Sequence, residues 1–274
     1  MLLNGGIARH YMDWNWKKVN SPFARFYFAL EGSAKVHFNK KSHELSPGHL
    51  YMIPPFVLHS YECPGYYSHY YFHVYEKPSA RVRVLEEYNY PFELEANETD
   101  NILFHRLLNI NPGRELPGYD PKLYDNPDTL TQTISVDTRN PYHTQVESHG
   151  LLCQILSRFL KYAVNKIDIG DDRISKALSY IRKNMDKKIT IDELAELCYL
   201  SNDHFIRLFK KELNDTPLEY INKRKIEKAQ LLLMTTDMLI KDIACGLSFS
   251  NTTYFNRLFK NIVGINPQTY RNFL

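Results

Sequence analysis

Apolar and polar positions follow a helical period in two similar stretches of the C-terminal third, residues 201–211 and 250–260. Each stretch contains phenylalanine, one intervening residue and then Arg-Leu-Phe-Lys, at residues 205–210 and 255–260. At about 100° per residue, the phenylalanines and the leucine of each copy share one side of a helix, and the polar residues share the other. The pattern predicts two helices, each with an apolar side that packs and a polar, basic side that faces outward.

A short predicted helix precedes each of these two helices, over residues 191–197 and 240–245. Thr190 and Glu193 form a capping box at the start of the first short helix, with Leu194, Ala195 and Leu197 expected inward. The turn of the second copy, residues 246–249, is one residue longer than that of the first. Two helices joined by a tight turn, with a small residue where they cross, are typical of the helix-turn-helix motif.

The two helix-turn-helix motifs are joined by a predicted long helix over about residues 218–234. In this arrangement they closely resemble the DNA-binding domain of the AraC/XylS family of bacterial transcription regulators. The resemblance covers residues 175–271 without a sizeable gap and implies double-stranded DNA as a partner. A helical bundle without DNA is the alternative, but it leaves the repeated Arg-Leu-Phe-Lys at matched register unexplained.

The resemblance also implies which residues contact DNA, because the family reads bases with the polar sides of its second helices. The candidate DNA-binding residues are Asp203, Ile206, Arg207, Lys210, Lys211, Thr252, Thr253, Asn256, Arg257 and Lys260. Arg207 and Arg257 are the strongest candidates for reading bases, since a guanidinium reaches O6 and N7 of guanine together. The lysines are expected at phosphates, which fix register, and the alternative for each is a solvent-facing position.

Short runs rich in aromatic and β-branched residues, separated by turn signals, characterise the N-terminal part of the chain. The runs cover residues 25–30, 34–38, 49–53 and 69–75. Strands at this spacing predict an antiparallel barrel or jelly roll. Residues 48–59 resemble the second sequence motif of cupin barrels, with Gly48, Pro54 and His59 in matching positions and Phe56 where glycine is usual.

The first cupin motif, which supplies a His-x-His pair and a glutamate to a metal, has no counterpart over residues 23–38. His59 alone does not hold a metal, so we expect no metal site and no cofactor. A cupin enzyme that is targeted to DNA is therefore the least favoured alternative, and we predict that the protein is not an enzyme. The family resemblance implies instead a metal-free barrel that senses a small molecule.

Side-chain alternation along the predicted strands, together with the resemblance to the family's arabinose sensor, selects candidates for effector binding. They are Arg25, Tyr27, Glu31, His59, Tyr61, Tyr71 and His73. Arg25 and Tyr27 share a face opposite the apolar face of their strand, and Tyr71 and His73 share a face of the last strand. Planar polar groups and aromatic rings suit a sugar, and the alternative is that these residues are barrel core.

The predicted fold is an α+β multidomain protein. Residues 1–164 form a cupin-like antiparallel β-barrel with following helices, which senses the effector and dimerises. Residues 165–172, including Gly170, form a linker, and residues 173–274 form an all-α DNA-binding domain. We expect a short helix over residues 100–109 and a longer helix from residue 143. The longer helix carries an apolar stripe that either packs against the barrel or, as the resemblance implies, pairs two subunits in a homodimer. That stripe is Leu152, Ile155, Leu156, Phe159, Leu160 and Ala163.

Charge and composition agree with this interpretation. Residues 171–274 carry 17 basic and 13 acidic side chains, whereas the rest of the chain carries 17 and 18, so the helical part holds the positive charge. That distribution favours phosphate binding. The four scattered cysteines and the lack of an 18-residue apolar segment lead us to expect a soluble, cytoplasmic protein without a membrane partner.

The predicted function is therefore a sequence-specific DNA-binding transcription regulator. We expect an activator, with RNA polymerase as a further partner, that responds to a small molecule, a carbohydrate, in the barrel. The alternative is a DNA-binding regulator whose barrel binds no small molecule and serves only for dimerisation or protein contact.

Overall fold

The computed structural model describes residues 1–38, 41–76, 84–125, 129, 133, 140–165 and 171–272. The chain divides into two compact units, Met1–Val164 and Asn165–Phe273. Residues 166–170 of the predicted linker, Gly170 among them, lie outside the described residues.

The first unit is built mainly from antiparallel strands. A five-stranded sheet has the order β1–β7–β2–β5–β9, and a three-stranded sheet has the order β4–β3–β6. The strands are β1 Leu2–Tyr11, β2 Ala24–Gly32, β3 Ala34–Phe38, β4 Lys41–Leu45, β5 His49–Ile53, β6 Ser60–Glu62, β7 Tyr66–Val74, β8 Tyr88–Asn89, β9 Glu93–Glu95 and β10 Val164–Asn165. The four predicted runs are all strands, and β1, β4, β6, β8, β9 and β10 are additions that the sequence pattern does not predict.

Both faces of the five-stranded sheet are buried, but the side chains that cover the two faces differ in polarity. One face, with Phe26, Phe28 and Phe72, packs with Phe104 and Phe159 in an apolar core. The opposite face, with Tyr27, Tyr51 and Tyr71, packs with residues of the three-stranded sheet in a second core. The second core is the barrel interior, and it is rich in tyrosine and histidine.

Three of the helices described in this unit pack on the outer face of this sheet, through Leu85, Phe104 and Phe159. The helices of the first unit are α1 Val84–Glu87, α2 Glu98–Asn109, α3 Pro121–Tyr124 and α4 Tyr142–Leu160. A capping box of Asn97 and Asp100 starts α2 two residues before the predicted start. On α4 the buried apolar residues are Leu151, Ile155 and Phe159, whereas Leu152 and Leu156 of the predicted stripe are only partly buried against the core.

The second unit is all helical. Its helices are α5 Asp172–Lys183, α6 Ile191–Leu197, α7 Asn202–Leu213, α8 Pro217–Thr235, α9 Ile240–Gly246, α10 Thr252–Val263 and α11 Pro267–Asn272. The pairs α6–α7 and α9–α10 are the two helix-turn-helix motifs, and α8 is the long helix that joins them. Phe205 and Phe209 are fully buried in the first motif, as are Phe255 and Phe259 in the second, so the predicted apolar sides are the packed sides.

The turns of the two motifs share one geometry. Tyr199 and Ser248 both adopt left-handed backbone conformations, with φ values of 55° and 56°. A backbone hydrogen bond then returns to the crossing alanine, from Leu200 N to Ala195 O in the first motif at 2.9 Å. The equivalent bond runs from Phe249 N to Ala244 O at 3.0 Å. The connection between the helices is residues 198–201 in the first motif and residues 247–251 in the second, so it is one residue longer in the second motif, as predicted. The extra residue follows the shared turn and precedes the first residue of α10.

One expectation about α6 is wrong. Leu197 was expected to face inward, but its side chain is 36% exposed, and the following Cys198 is fully buried instead. Cys198 follows Leu194 by four residues and Ala195 by three and keeps a helical backbone conformation, so the helical period places it on their inward side, whereas Leu197 lies about 100° from it around the helix.

Two helices of the second unit, α7 and α8, each follow a hydroxyl residue in the sequence, but only one of these residues caps its helix with its side chain. The difference predicts unequal losses of stability when the hydroxyl is removed. Thr216 and Glu219 form a capping box at α8, whereas Ser201 at α7 makes no capping bond with its side chain. Thr216→Ala should lower the free energy of unfolding by about 1 kcal/mol. Ser201→Ala is the matched control, with an expected change of less than about 0.5 kcal/mol. Urea unfolding of the full chain, followed by circular dichroism, measures both. Equal losses in the two variants would contradict the assignment.

Candidate DNA-binding surface and effector site

The second helices of the two motifs, α7 and α10, present equivalent polar sides. On α7 the side chains of Asp203, Arg207, Lys210 and Lys211 are exposed, and Ile206 is half-buried. On α10 the exposed residues are Thr253, Asn256, Arg257 and Lys260, and Thr252 is half-buried. The structure thus brings all ten candidate DNA-binding residues to the accessible sides of these two helices. The buried phenylalanines on the opposite sides fix how each helix is held.

Arg257 is held by a neighbour that the sequence analysis missed. Its guanidinium lies 5.7 Å from the centre of the Tyr254 ring, one helical turn away. The Tyr254 amide donates to the Asn251 side chain at 2.7 Å, which caps α10. Arg257, Tyr254 and Asn251 also line a surface depression together with Thr253 and Ser250. The three-residue spacing of Tyr254 and Arg257 on a helix is the signal that could have identified the pair.

In the first unit, six of the seven candidate effector residues lie together in the barrel interior. Arg25, Tyr27, His59, Tyr61, Tyr71 and His73 are all buried. Strand pairing between β2 and β7 sets Arg25 opposite His73 and Tyr27 opposite Tyr71. The sequence alternation therefore selected the interior face of these strands correctly.

Glu31 does not belong to this cluster, which corrects the sequence interpretation. Its side chain is exposed, and the Tyr66 hydroxyl donates to it at 3.2 Å. The register between β2 and β7 shifts between Ala29 and Glu31, so the alternation that carries Arg25 and Tyr27 inward is broken before Glu31.

Three of the buried side chains form a directed hydrogen-bond chain. His59 Nδ1 lies 2.7 Å from the Val57 carbonyl oxygen and must donate to it. Burial, and then the nearby charge of Arg25, lower the pKa of His59 to about 3, so the imidazole is neutral. His59 Nε2 is therefore the acceptor for the Tyr61 hydroxyl at 2.7 Å, and Tyr61 in turn accepts from the Tyr27 hydroxyl at 2.7 Å.

Arg25 is engaged by residues that the sequence analysis did not select. Its side chain is 1% exposed, and Nη2 donates to the Ser21 hydroxyl at 2.6 Å. The Ser21 hydroxyl in turn donates to Asp125, whose carboxylate oxygen lies 3.5 Å from the same guanidinium nitrogen. Asp125 follows α3, in a stretch whose sequence has neither a helical nor a strand period, so no sequence pattern connects it with the barrel.

No group of histidine, cysteine and acidic side chains within the described residues is arranged to hold a metal ion. None of the helices in the described part of the chain is both long and apolar enough to cross a membrane.

Known protein families match both units of the chain. An AraC-like ligand binding domain model matches residues 5–110, and a helix-turn-helix domain model matches residues 194–272. The two matches define a regulator that combines a ligand-binding unit with a helix-turn-helix unit. The chain belongs to the AraC family of transcription regulators.

The individual relatives are similar to only about half of this chain, at low sequence identity. The chain is 27% identical over 143 residues to the lactose operon transcription activator of Staphylococcus xylosus, covering 52% of this chain and 51% of that protein. It is 34% identical over 170 residues to the regulatory protein PocR of Salmonella typhimurium, covering 56% of each. The chain thus spans about half the length of these curated relatives.

A solved structure matches along almost the whole chain. Unsaturated fatty acid bound ToxT from Vibrio cholerae aligns over 99% of this chain and 96% of that chain, with a TM-score of 0.50 and 14% identity. At this identity the similarity establishes the fold alone.

The neutral buried histidines predict a pH-dependent stability. The pKa of His59 is lowered in the folded state, so unfolding takes up a proton below about pH 6.5, and stability is lost as the pH falls. His59→Gln should reduce this loss by up to about 1.4 kcal/mol per pH unit. Burial raises the pKa of Asp125 to about 6, which acts in the opposite direction between about pH 6 and 4.

Urea unfolding at pH 7.5, 6.5 and 5.5 measures the difference between wild type and His59→Gln, in which the Asp125 contribution largely cancels. His105→Gln, which removes an exposed histidine, is the matched control. A wild-type pH dependence that His59→Gln leaves unchanged would contradict the neutral, buried state of His59.

Proposed function

We propose that this chain is a sequence-specific DNA-binding transcription activator that responds to a small carbohydrate-like molecule bound in the N-terminal barrel. The observation that carries the DNA-binding part is the duplicated Arg-Leu-Phe-Lys, which in both copies buries phenylalanine and exposes arginine and lysine. Activation is supported by the lactose operon transcription activator among the relatives. Binding of RNA polymerase follows from that role.

In the proposed complex, α7 and α10 enter successive major-groove segments on one face of the DNA. Arg207 and Arg257 read guanine, and Asn256 has the amide geometry that reads adenine. Lys210 and Lys260 neutralise phosphates and set the register. The ring of Tyr254 restricts Arg257 before binding, which lowers the entropy that Arg257 loses when it reaches a base edge.

The effector part of the proposal is supported by buried polar groups that lack partners. Arg25 Nε, His73 Nδ1 and His69 Nδ1 are buried, and no described residue hydrogen-bonds to them. Native proteins rarely leave such groups unsatisfied. The aromatic walls of Tyr27, Tyr61 and Tyr71, with hydroxyl and imidazole groups among them, suit the hydroxyls and apolar faces of a sugar.

We further propose that residues 1–164 sense the effector and pair two copies of the chain, that residues 165–172 link the units, and that residues 173–274 bind DNA. Pairing through α4 is supported by Leu152 and Leu156, which are only partly buried against the core of their own unit. In this proposal the protein acts in the cytoplasm and is not an enzyme.

A second function has a specific observation in its favour. The Trp14 ring occupies the barrel interior, stacked on Tyr61 at 4.1 Å and on Tyr67 at 5.8 Å between ring centres. A barrel whose interior is filled by its own side chains can serve for dimerisation or protein contact alone. We favour ligand binding because aromatic packing does not satisfy Arg25 Nε or the histidine nitrogens.

Base reading and phosphate contact predict different consequences for two neighbouring residues. Arg257→Ala should weaken binding to the cognate site by about 1–3 kcal/mol and relax the preference at one base pair. Lys260→Ala should weaken binding to all sequences alike and reduce the dependence of log K on log salt by about one. Fluorescence anisotropy on cognate and scrambled duplexes at several salt concentrations measures both effects.

Lys17→Ala, which removes an exposed lysine of the other unit, is the control for a general loss of positive charge. If Arg257→Ala weakened all duplexes equally while Lys260→Ala altered base preference, the roles of the two side chains would be exchanged. If neither changed the affinity, this side of α10 would not contact DNA.

Effector binding is tested by a thermal-shift screen of the full chain against neutral sugars, sugar acids and sugar phosphates. A ligand that binds only the native state raises its apparent stability, by about 2.7 kcal/mol at one hundred times the Kd. We expect a saturable shift with at least one carbohydrate and its loss in His73→Ala. A flat response to all three classes would favour the barrel that only pairs subunits.

A further inference from the structure

A short segment outside the sheets closes one side of the barrel interior. Leu116 N donates to the Tyr71 hydroxyl at 2.8 Å, and the Tyr119 ring lies 4.5 Å from the ring of His10. The Tyr124 ring lies 5.1 Å from that of His73. The segment, residues 114–125, is thus attached to the candidate effector residues themselves, and we call it the strap.

Asp125 at the end of the strap supplies the negative charge that faces Arg25. A guanidinium remains charged in proteins, and a buried charge is costly unless a counter-charge and hydrogen bonds accompany it. The Asp125 side chain is 11% exposed and reaches Arg25 both directly, at 3.5 Å, and through the Ser21 hydroxyl. A carboxylate of the chain therefore occupies the position at which a carboxylate of a ligand would pair with Arg25.

The pairing of Arg25 with Asp125 uses only part of what the guanidinium can offer. The strongest arginine–carboxylate pairs have two parallel hydrogen bonds at 2.7–2.9 Å in general. Here one nitrogen, Nη2, serves both Ser21 and Asp125, and Nε has no hydrogen-bond partner within the described part of the chain. A free carboxylate, which is not restrained by the strap, can make the paired bonds that Asp125 does not make.

We propose that the effector carries a carboxylate that replaces Asp125 on Arg25, so that the strap residue Asp125 acts as an internal competitor that keeps the unliganded site closed. The inference rests on the proposed effector-binding function and narrows its ligand to a small hydroxylated acid, such as a uronic or aldonic acid. Tyr27, Tyr71 and His73 then lie beside the hydroxylated part of the molecule.

Charge conservation supports a singly charged acid over the other carbohydrate classes. Exchange of one carboxylate for another leaves the net charge around Arg25 unchanged. A neutral sugar leaves Asp125 where it is and so gains nothing from Arg25, and a sugar phosphate brings a second negative charge into a buried site.

The first test needs no knowledge of the natural effector. Asp125→Ala leaves Arg25 without its counter-charge, and sodium acetate is the probe that restores one. We expect acetate to raise the melting temperature of Asp125→Ala full-length protein saturably, with little effect on wild type and none from sodium chloride at equal ionic strength. Absence of an acetate-specific shift, or the same shift in Arg25→Gln/Asp125→Ala, would overturn the proposal.

The second test compares matched ligands on folded variants. Isothermal titration calorimetry measures the affinity for galactose, galacturonate and galactose 6-phosphate, for the matching glucose compounds and for gluconate. Each compound is titrated into wild type, Asp125→Asn and Glu115→Gln. Asp125→Asn removes the competing charge with little change of shape and should bind the acids about tenfold more tightly. Glu115→Gln removes an exposed carboxylate of the same strap and should bind them as wild type does.

The possible failures are distinguishable. Neutral sugars or phosphates that bind wild type better than the acids, without a gain in Asp125→Asn, would overturn the carboxylate inference and leave the proposed sensing function in place. Acetate rescue without binding of any of these carbohydrates to wild type or Asp125→Asn would reject the carbohydrate class and support an anion site for other acids.

Discussion

The burial of one guanidinium organises the interior of the N-terminal unit. Arg25 lies on β2, the central strand of the five-stranded sheet, and its side chain is almost completely enclosed. A buried charge requires polar partners, and Ser21 and Asp125 supply them through hydrogen bonds. The charge of Arg25 also helps to keep the adjacent His73 neutral. Burial, then Arg25, then His69 and His59 lower the pKa of His73 well below its ordinary value. The other face of the same sheet packs in an apolar core, so the polar side chains of the sheet lie on its interior face.

In the helical unit the organising constraint is the burial of two phenylalanine pairs. Phe205 and Phe209, with ring centres 5.6 Å apart, and Phe255 and Phe259, 5.8 Å apart, fix the rotation of α7 and α10. That rotation leaves the arginines and lysines exposed. Each motif uses the same left-handed turn and the same hydrogen bond back to an alanine, so the two surfaces are built in the same way from different sequences.

The predictions from sequence succeeded where local patterns are repeated or strongly periodic. The four helices of the two motifs, with ends predicted to within about three residues, the capping box at Thr190 and the inward phenylalanines follow from rules that operate within a few residues. The alternation on β2 and β7 likewise identified Arg25, Tyr27, Tyr71 and His73 as one interior face. The placement of Glu31 with these residues, which the resemblance to the family's arabinose sensor implied, is wrong, because the register shift that turns Glu31 outward depends on pairing with a distant strand.

The sequence alone determined the family, the order of the two units and the exposed sides of α7 and α10, because those features depend on spacing within single elements. Only the tertiary structure decided what faces Arg25. Asp125 is one hundred residues away along the chain, in a stretch with neither helical nor strand period, and nothing local marks it as a partner. A buried charge selects its counter-charge by proximity in space, and proximity in space across so long a separation is a property of the folded chain.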